Sequence, residues 1–582
     1  MEGDIPLGKT ILPTFCGKLS IINIFNISCY NIFMKEIKII APVKKPEDIE
    51  VFCENTRCRR FYAYYDRFME GKFELVDEFT KMAEKCGAKF FINFKHSITE
   101  EELPEIKKFI RYLKTSNIQG IYINSYAVLE AIKVFKLPFK VMADSYFDIH
   151  NLAGIDFINS FHKVYGIIIT EEIYLKNISK IKKFTNLSLA VDSDNLPWCA
   201  EDLIKTDAID YVVIKGKFPT SEDILEGINL IEKILNNPKM FKRQKLPFKH
   251  TRQCIYQTNH FSGDVVSAEG KNFKFSKNIQ SFEWPELRRT PVEEIAKYVD
   301  EYKINLRLTS LGQIKELENY IKKIGRTPVY SIDYGEIVST CDLSTSSFSQ
   351  VITKVKKFCE KYNIKFQLST PKILIERDFE RTYEYEKELL LTEPRPDSLI
   401  INNIGYFWNF INDDEINEIP FEIGHGINLL NSMSIKCLNN LAKIDTVDFS
   451  SFEDYHLAVK TLKKIKNDIP NRKYTIAGNK RVLSMGLCPL NKDKAIVSRL
   501  SCKAPCHNGT YALKDPSLDK VFPFVCDGFC RMHMFEDTVM QNFEIVPELY
   551  DAGINEFVFD FSALTPKYIP LLLNNFFSTI YK

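Results

Sequence analysis

The sequence predicts two tandem (β/α)8 barrels of the TIM type joined by a small β-rich connector, and three observations carry that expectation. Eight short β-branched and aromatic runs alternate with helical-period segments between residues 37 and 235. The alternation breaks over residues 236–294, and eight further runs follow between residues 304 and 561. Strict alternation of strand and helix demands parallel strands with right-handed crossovers. Eight such units in so short a length close into a barrel more readily than they spread into an open doubly wound sheet.

The first set of strands is expected at 37–41, 61–64, 89–94, 120–124, 139–143, 165–170, 187–191 and 211–214, with helices at 73–85, 100–113, 173–183 and 221–235 among the segments between them. Over 236–294, Pro238, Pro247 and a turn-rich composition replace the alternation and leave hairpin-like pieces at 264–267 and 272–275. The second set is expected at 304–308, 329–333, 366–369, 399–402, 421–424, 446–449, 474–477 and 557–561. Two similar barrels in one chain imply an old internal duplication, whose long period blurs at the sequence level. The expected domains are an N-terminal extension over 1–33, loosely attached or disordered, a first barrel over 34–236, the connector over 237–295 and a second barrel over 296–582.

Charge excludes one class of partner. Lys and Arg total 78 against 76 Asp and Glu, a formal charge of +2, so no global polycation favours nonspecific nucleic-acid binding and any polyanion must be held locally. The most basic stretch, Pro238 to Arg252, reads as a solvated linker. The apolar-leaning piece from Ile21 to Phe33 is interrupted by Asn23, Asn26, Cys29 and Asn31, too short and too polar to span a bilayer. No membrane segment is expected. Ten of the fifteen cysteines are spread singly, Cys199 and Cys341 among them, a pattern that suits a reducing cytoplasm.

The other five, Cys488, Cys502, Cys506, Cys526 and Cys530, crowd into the segment between the seventh and eighth strands of the second barrel. Active sites of such barrels are built from loops at the carboxyl ends of strands, so the position suits chemistry. Structural zinc knuckles use two tight pairs on short turns, whereas one isolated cysteine followed by ligands spread over a long loop suits an iron–sulfur cluster. From spacing, iron–sulfur is favoured over zinc, and zinc over thiols without a metal. The matching loop of the first barrel, Asp192 to Glu201, offers only Cys199, so that half reads as a scaffold or substrate platform.

The residues around these cysteines carry a resemblance. Gly486-Leu-Cys-Pro-Leu490, Ser501-Cys-Lys-Ala-Pro-Cys506, Tyr511-Ala-Leu-Lys-Asp515, Phe522-Pro523 and Asp527-Gly-Phe-Cys-Arg531 follow one another as in the peptidase U32 family, the collagenase-like peptidases. Gly424 to Ser432 resembles that family's Asn-x-x-Asn segment, here Asn428 and Asn431, and Thr170-Glu171-Glu172 its glutamate turn. The resemblance covers Met34 to about Lys567, strong at the cysteine block and weak elsewhere. It implies a 4Fe-4S cluster on Cys488, Cys502, Cys506 and Cys530, with Cys526 as the alternate fourth ligand. It also implies oxygen-independent hydroxylation of tRNA or rRNA bases or of a quinone precursor, with prephenate as oxygen donor and room for a partner subunit. Substrate contacts are expected from Asp144, Glu171, His425, Asn428, Asn431 and Arg531. The chain departs from the family at Gly478-Asn479, where relatives carry Gly-Arg, at Gly486, and at His425, where an Asp is common.

Two rival classes stand beside this expectation. A peptidase follows from the family's historical name, yet the sequence holds no nucleophile elbow, no His-Glu-x-x-His helix and no Cys-His signature. A zinc-bound RNA-binding scaffold is the other.

Overall fold

The computed structural model describes residues 36–94, 97–161, 164–169, 175–193, 207–215, 218–237, 264–267, 302–451, 454–465, 468–486, 506, 511–515 and 520–580. The expected extension over 1–33 and the piece at 272–275 lie outside these residues. In the first barrel, β1 (Lys38–Pro42), β2 (Arg60–Tyr64), β3 (Lys89–Asn93), β4 (Gly120–Ile123), β5 (Lys140–Ala143), β6 (Val164–Ile168), β7 (Ser188–Asp192) and β8 (Tyr211–Val213) pair in parallel. The barrel closes where Lys38 lies opposite Tyr211 and Ile40 opposite Val213. One side chain per strand, Ile40, Tyr62, Phe91, Tyr122, Met142, Ile168, Ala190 and Val213, fills the barrel with an apolar plug. Burying each large ring there stabilises the barrel by about 2 kcal/mol.

The second barrel follows β9 (Asp264–Ser267) of the connector. Its strands are β10 (Lys303–Arg307), β11 (Ser331–Tyr334), β12 (Lys365–Ser369), β13 (Ser398–Ile401), β14 (Phe421–Ile423), β15 (Thr446–Asp448), β16 (Asn471–Met485) and, after an insertion, β20 (Glu556–Asp560). β20 lies between β10 and β16, and β15 pairs with β16 to close the ring, so two tandem eight-stranded parallel barrels with alternating helices are present.

The insertion corrects one expectation. Far from ending near residue 477, β16 continues to Met485 and leaves the barrel as an antiparallel extension with β17 (Tyr511–Asp515), β18 (Lys520–Cys526) and β19 (Met532–Gln541), in the order β16-β19-β18-β17-β9. The cysteine segment is therefore partly a sheet, and the connector strand β9 completes it by pairing with β17. The departure point is Gly478, at φ +119, where a Cβ would stand 2.0 Å from the Asp560 carbonyl oxygen. Only glycine fits that backbone contact.

The barrels meet along a seam with matched halves. The helix Tyr126–Phe135 packs on Ser432–Asn439, and Leu152–Asn159 on Ile404–Ile411, the helices after the fourth and fifth strands of one barrel against those after the fifth and fourth strands of the other. After the fifth strand of each barrel an asparagine reaches across. Asn151 donates to the Leu374 carbonyl at 2.7 Å and Asn431 to the Ile98 carbonyl at 2.8 Å. The next backbone N–H binds a carboxylate two residues beyond that carbonyl, Leu152 N to Glu376 at 2.8 Å and Ser432 N to Glu100 at 2.7 Å. Both carboxylates follow the third strand of their barrel. Equivalent residues making reciprocal bonds are what a duplicated unit packed about a twofold axis must produce.

Candidate active site at the mouth of the second barrel

Where the first barrel is plugged with apolar side chains, the second is lined with polar ones. Lys473 on β16 donates to Glu422 at 2.5 Å and to Gln367 at 2.7 Å, and stands 3.7 Å from Glu556. Ser331 donates to Gln367 at 2.9 Å and also bonds Asn305. Barrel interiors are ordinarily stacked layers of branched aliphatic residues. A buried ionic layer costs desolvation that apolar packing avoids, so the interior of this barrel is chemically unlike that of the first.

Nearer the carboxyl ends of the strands, Arg307 on β10 is gripped by three carboxylates. Its Nε donates to Asp333 at 2.7 Å, Nη2 to Asp448 at 3.0 Å and Nη1 to Asp560 at 3.1 Å. Each of the last two carboxylates is also held by its own strand's turn, accepting from Ser450 N and Ser562 N at 2.8 Å. Burial works against the Arg307 charge, but Asp333, Asp560 and Asp448 outweigh it and push the pKa up. Burial lifts the Asp333 carboxyl above its ordinary range, opposed by Arg307.

His425 is delivered to this mouth by a tight loop after β14. A Cβ at Gly424 would lie 2.2 Å from Asn402 Oδ1, and one at Gly426 2.5 Å from the Asn402 carbonyl, so both glycines let the loop close onto Asn402. His425 Nε2 then stands 3.6 Å from Glu336 and Nδ1 3.9 Å from Asp448. Burial, followed by the nearby Arg307, holds its pKa well below the usual histidine value, so the ring is neutral at pH 7. Glu336 pairs with Arg481 through both guanidinium ends, one contact at 3.0 Å. Burial would raise its carboxyl, but the Arg481 guanidinium holds it well below the ordinary range, so it is ionised.

The strand register of the extension gathers cysteines at one end. Tyr511 lies opposite Phe524, so Cys506 before β17 and Cys526 at the end of β18 face the same end; Cys526 and Met485 both lie opposite Met532. Cys530 follows in a turn built on Asp527, whose Oδ1 accepts from Phe529 N at 2.8 Å and Arg531 N at 2.9 Å, while His533 lies 3.3 Å from Oδ2. That turn holds Cys530 in the left-handed region at φ 63, uncommon for a residue with a Cβ. Cys341, on the short helix Thr340–Thr345, has its sulfur 4.0 Å from the Cys506 carbonyl, and Thr340 donates to that carbonyl at 2.9 Å. No disulfide joins the described cysteines. Among the described residues no three His, Cys, Asp or Glu side chains are grouped to hold a metal ion.

A cavity of about 730 Å³ opens beside this turn, lined by Glu336, Phe348, Arg377, Arg381, Phe529 and Cys530 among others. It joins the cysteine turn to the buried ionic array through Glu336. Its wall is fastened by Arg531, which donates to Asp378 at 2.7 Å and to the Phe529 carbonyl at 2.8 Å.

The expected site residues are thus distributed unevenly. His425, Cys506, Cys526, Cys530 and Arg531 lie around the mouth and its extension; Asn428 is exposed on the His425 loop. Asn431 is engaged at the seam, where it also caps its helix through Ser434 N at 2.8 Å. Asp144 belongs to the other barrel, buried and paired with Lys215 at 2.5 Å. Cys488, Cys502 and Glu171 lie outside the described residues. Arg307, Glu336, Asp448, Asp560 and Cys341 were not foreseen as site residues. Their signal was available as strand-end polar residues in Leu-Arg307, Val-Asp448 and Phe-Asp560, each at the last position of a barrel strand.

Among the described residues no helix is long and apolar enough to cross a membrane. No curated protein matches the chain. Among solved structures, a thiamine phosphate pyrophosphorylase from Pyrococcus furiosus is 12% identical, covering 34% of this chain and 96% of that chain at a TM-score of 0.25. The YdjI aldolase from Escherichia coli K12 is 11% identical, covering 38% and 97% at 0.26, and an orotidine 5'-monophosphate decarboxylase from Methanocaldococcus jannaschii is 15% identical, covering 35% and 97% at 0.24. The family match falls in the first barrel and not on the cysteine block: residues 60–192 match the model of Peptidase family U32.

Proposed function

We propose that the protein is an iron–sulfur-dependent enzyme that hydroxylates bases of tRNA or rRNA without molecular oxygen. The observation that carries this reading is the register of the extension, which directs Cys506, Cys526 and Cys530 to the end where β16 stops at Met485, three residues before Cys488. The ligands would be Cys488, Cys502, Cys506 and Cys530. Cys530 is preferred to Cys526 because it lines the cavity from a locked turn, whereas Cys526 is buried in a paired strand. When bound, a 4Fe-4S cluster supplies electron transfer and a Lewis-acidic iron.

The chain's own groups would do the rest. Glu336, ionised and lining the cavity, accepts a hydrogen bond from the substrate, and Arg481 balances its charge. His425, a neutral imidazole beside Glu336, keeps a donor or acceptor nitrogen at the mouth. Replacing a C–H by a C–OH is a two-electron oxidation that needs an oxygen-atom donor other than O2, for which the family resemblance names prephenate. The reading requires a reducing cytoplasm.

A peptidase is the second reading, resting on the family's title and on the Glu336–His425 pair at 3.6 Å. Anaerobic purification with iron, sulfide and zinc quantification, joined to mass spectrometry of nucleosides from cells with and without the gene, tests both. The hydroxylation reading expects a brown protein and a hydroxylated nucleoside that disappears with the gene. An iron-free protein that cleaves denatured collagen supports the peptidase.

A further inference from the structure

The cavity beside Cys530 has a composition that points to its occupant. On one side the rings of Phe348 and Tyr385 meet edge to face at 5.5 Å, and Phe529 lines it on the cysteine turn. Arg377 and Arg381, one helical turn apart on Glu376–Leu391, share a face of that helix and line the same space. Arg381 is exposed, and Arg377 is half exposed although it leans on Asp378 at 3.1 Å. Aromatic walls with guanidinium groups beside them are the chemistry by which single-stranded RNA is held, bases stacking on rings and phosphates meeting arginine. The volume of about 730 Å³ exceeds what one nucleotide needs and falls short of a folded helix.

We propose that this cavity takes a single unstacked nucleotide of an RNA strand, its base between Phe348, Tyr385 and Phe529 and its flanking phosphate on Arg381 and Arg377. This inference rests on the RNA-hydroxylation reading and gives it a place. An extruded base would lie between Cys530 on the cysteine turn and Glu336 of the ionic array, which both line the cavity. Enzymes that act on a base inside structured RNA must first take it out of its stack, and a deep, ring-lined cavity repays the unstacking energy.

The test measures anisotropy of a short fluorescein-labelled single-stranded oligoribonucleotide with the full chain, purified anaerobically, across a salt series. Arg381→Glu, an exposed change, is expected to weaken binding about tenfold or more, and Arg381→Ala to lower the salt slope by about 0.7, one phosphate contact. Phe348→Leu is expected to weaken binding severalfold without changing that slope. Circular dichroism and iron content report whether each variant is folded as the parent. Wild-type affinity and slope in Arg381→Glu overturn the inference, as does displacement of the oligonucleotide by a collagen-like peptide. Loss of the hydroxylated nucleoside on gene deletion is read separately. RNA binding that depends on Arg381 without that loss sinks the reaction but keeps the nucleotide site, and the converse pattern does the opposite.

Discussion

Arg531 donates to Asp378 at 2.7 Å, and this one bond joins the cysteine turn to the helix that carries Arg377 and Arg381. The guanidinium is almost wholly buried, so the carboxylate is its counter-ion as well as its anchor. The same helix starts at Glu376, which the first barrel holds through Leu152 N. A continuous run of contacts therefore reaches from the first barrel to Cys530.

Asp378→Ala leaves Arg531 buried without its carboxylate. Removing one partner of a buried pair costs about 3 kcal/mol, and the loss is read by chemical denaturation. Iron content is expected to fall with it, while Arg377→Ala, whose side chain is half exposed, keeps both near the parent values.

Arg307→Leu strands Asp333, Asp448 and Asp560 facing one another in the barrel. The expected loss at pH 7 is about 3–5 kcal/mol. The deficit shrinks toward pH 4, where Asp333, whose carboxyl burial already lifts and Arg307 no longer opposes, takes up a proton, so unfolding midpoints measured at the two pH values separate this effect from a simple cavity.

Glu386 is fully buried on the helix Glu376–Leu391, and burial, opposed by the neighbouring Tyr406 hydroxyl, raises its pKa from 4.5 to about 8. The folded state holds this proton where the unfolded chain has lost it, so the contribution is complete below pH 4.5 and is lost as pH rises to about 8. Glu386→Gln removes the titration. It is expected to match the parent near pH 4.5 and to exceed its stability at pH 8, as thermal melts across that range would register.

Asn151→Ala and Asn431→Ala each remove a helix cap and a bond across the seam. Each is expected to cost about 1–2 kcal/mol. Because the two sites are equivalent halves of one interface, the double variant is expected to separate the unfolding of the two barrels, giving two calorimetric transitions where the parent gives one.

Much of the architecture was legible because the barrel strands centre on short apolar runs and, β16 apart, fall within a residue or two of their expected places, as at 120–123 and 446–448. The extension was not. Beyond Ala477, β16 runs through Gly478, Asn479, Lys480 and Arg481, which lack the period of a half-buried strand, and β18 contains Pro523, a residue that argues against a paired strand. The cysteines could be found by their crowding, but Cys341 could not, since only the fold brings it to Cys506 from so far along the chain. The ionic array is likewise a product of closure. Arg307 and Asp560 are distant in sequence and become neighbours only when β20 inserts beside β10.

The measurement that bears most directly on the central claim is iron and acid-labile sulfide per chain in anaerobically purified parent, Cys530→Ser and Cys526→Ser proteins. About four irons per chain in the parent, lost in Cys530→Ser and kept in Cys526→Ser, is the predicted result. A folded, colourless parent protein with neither iron nor sulfide would contradict it.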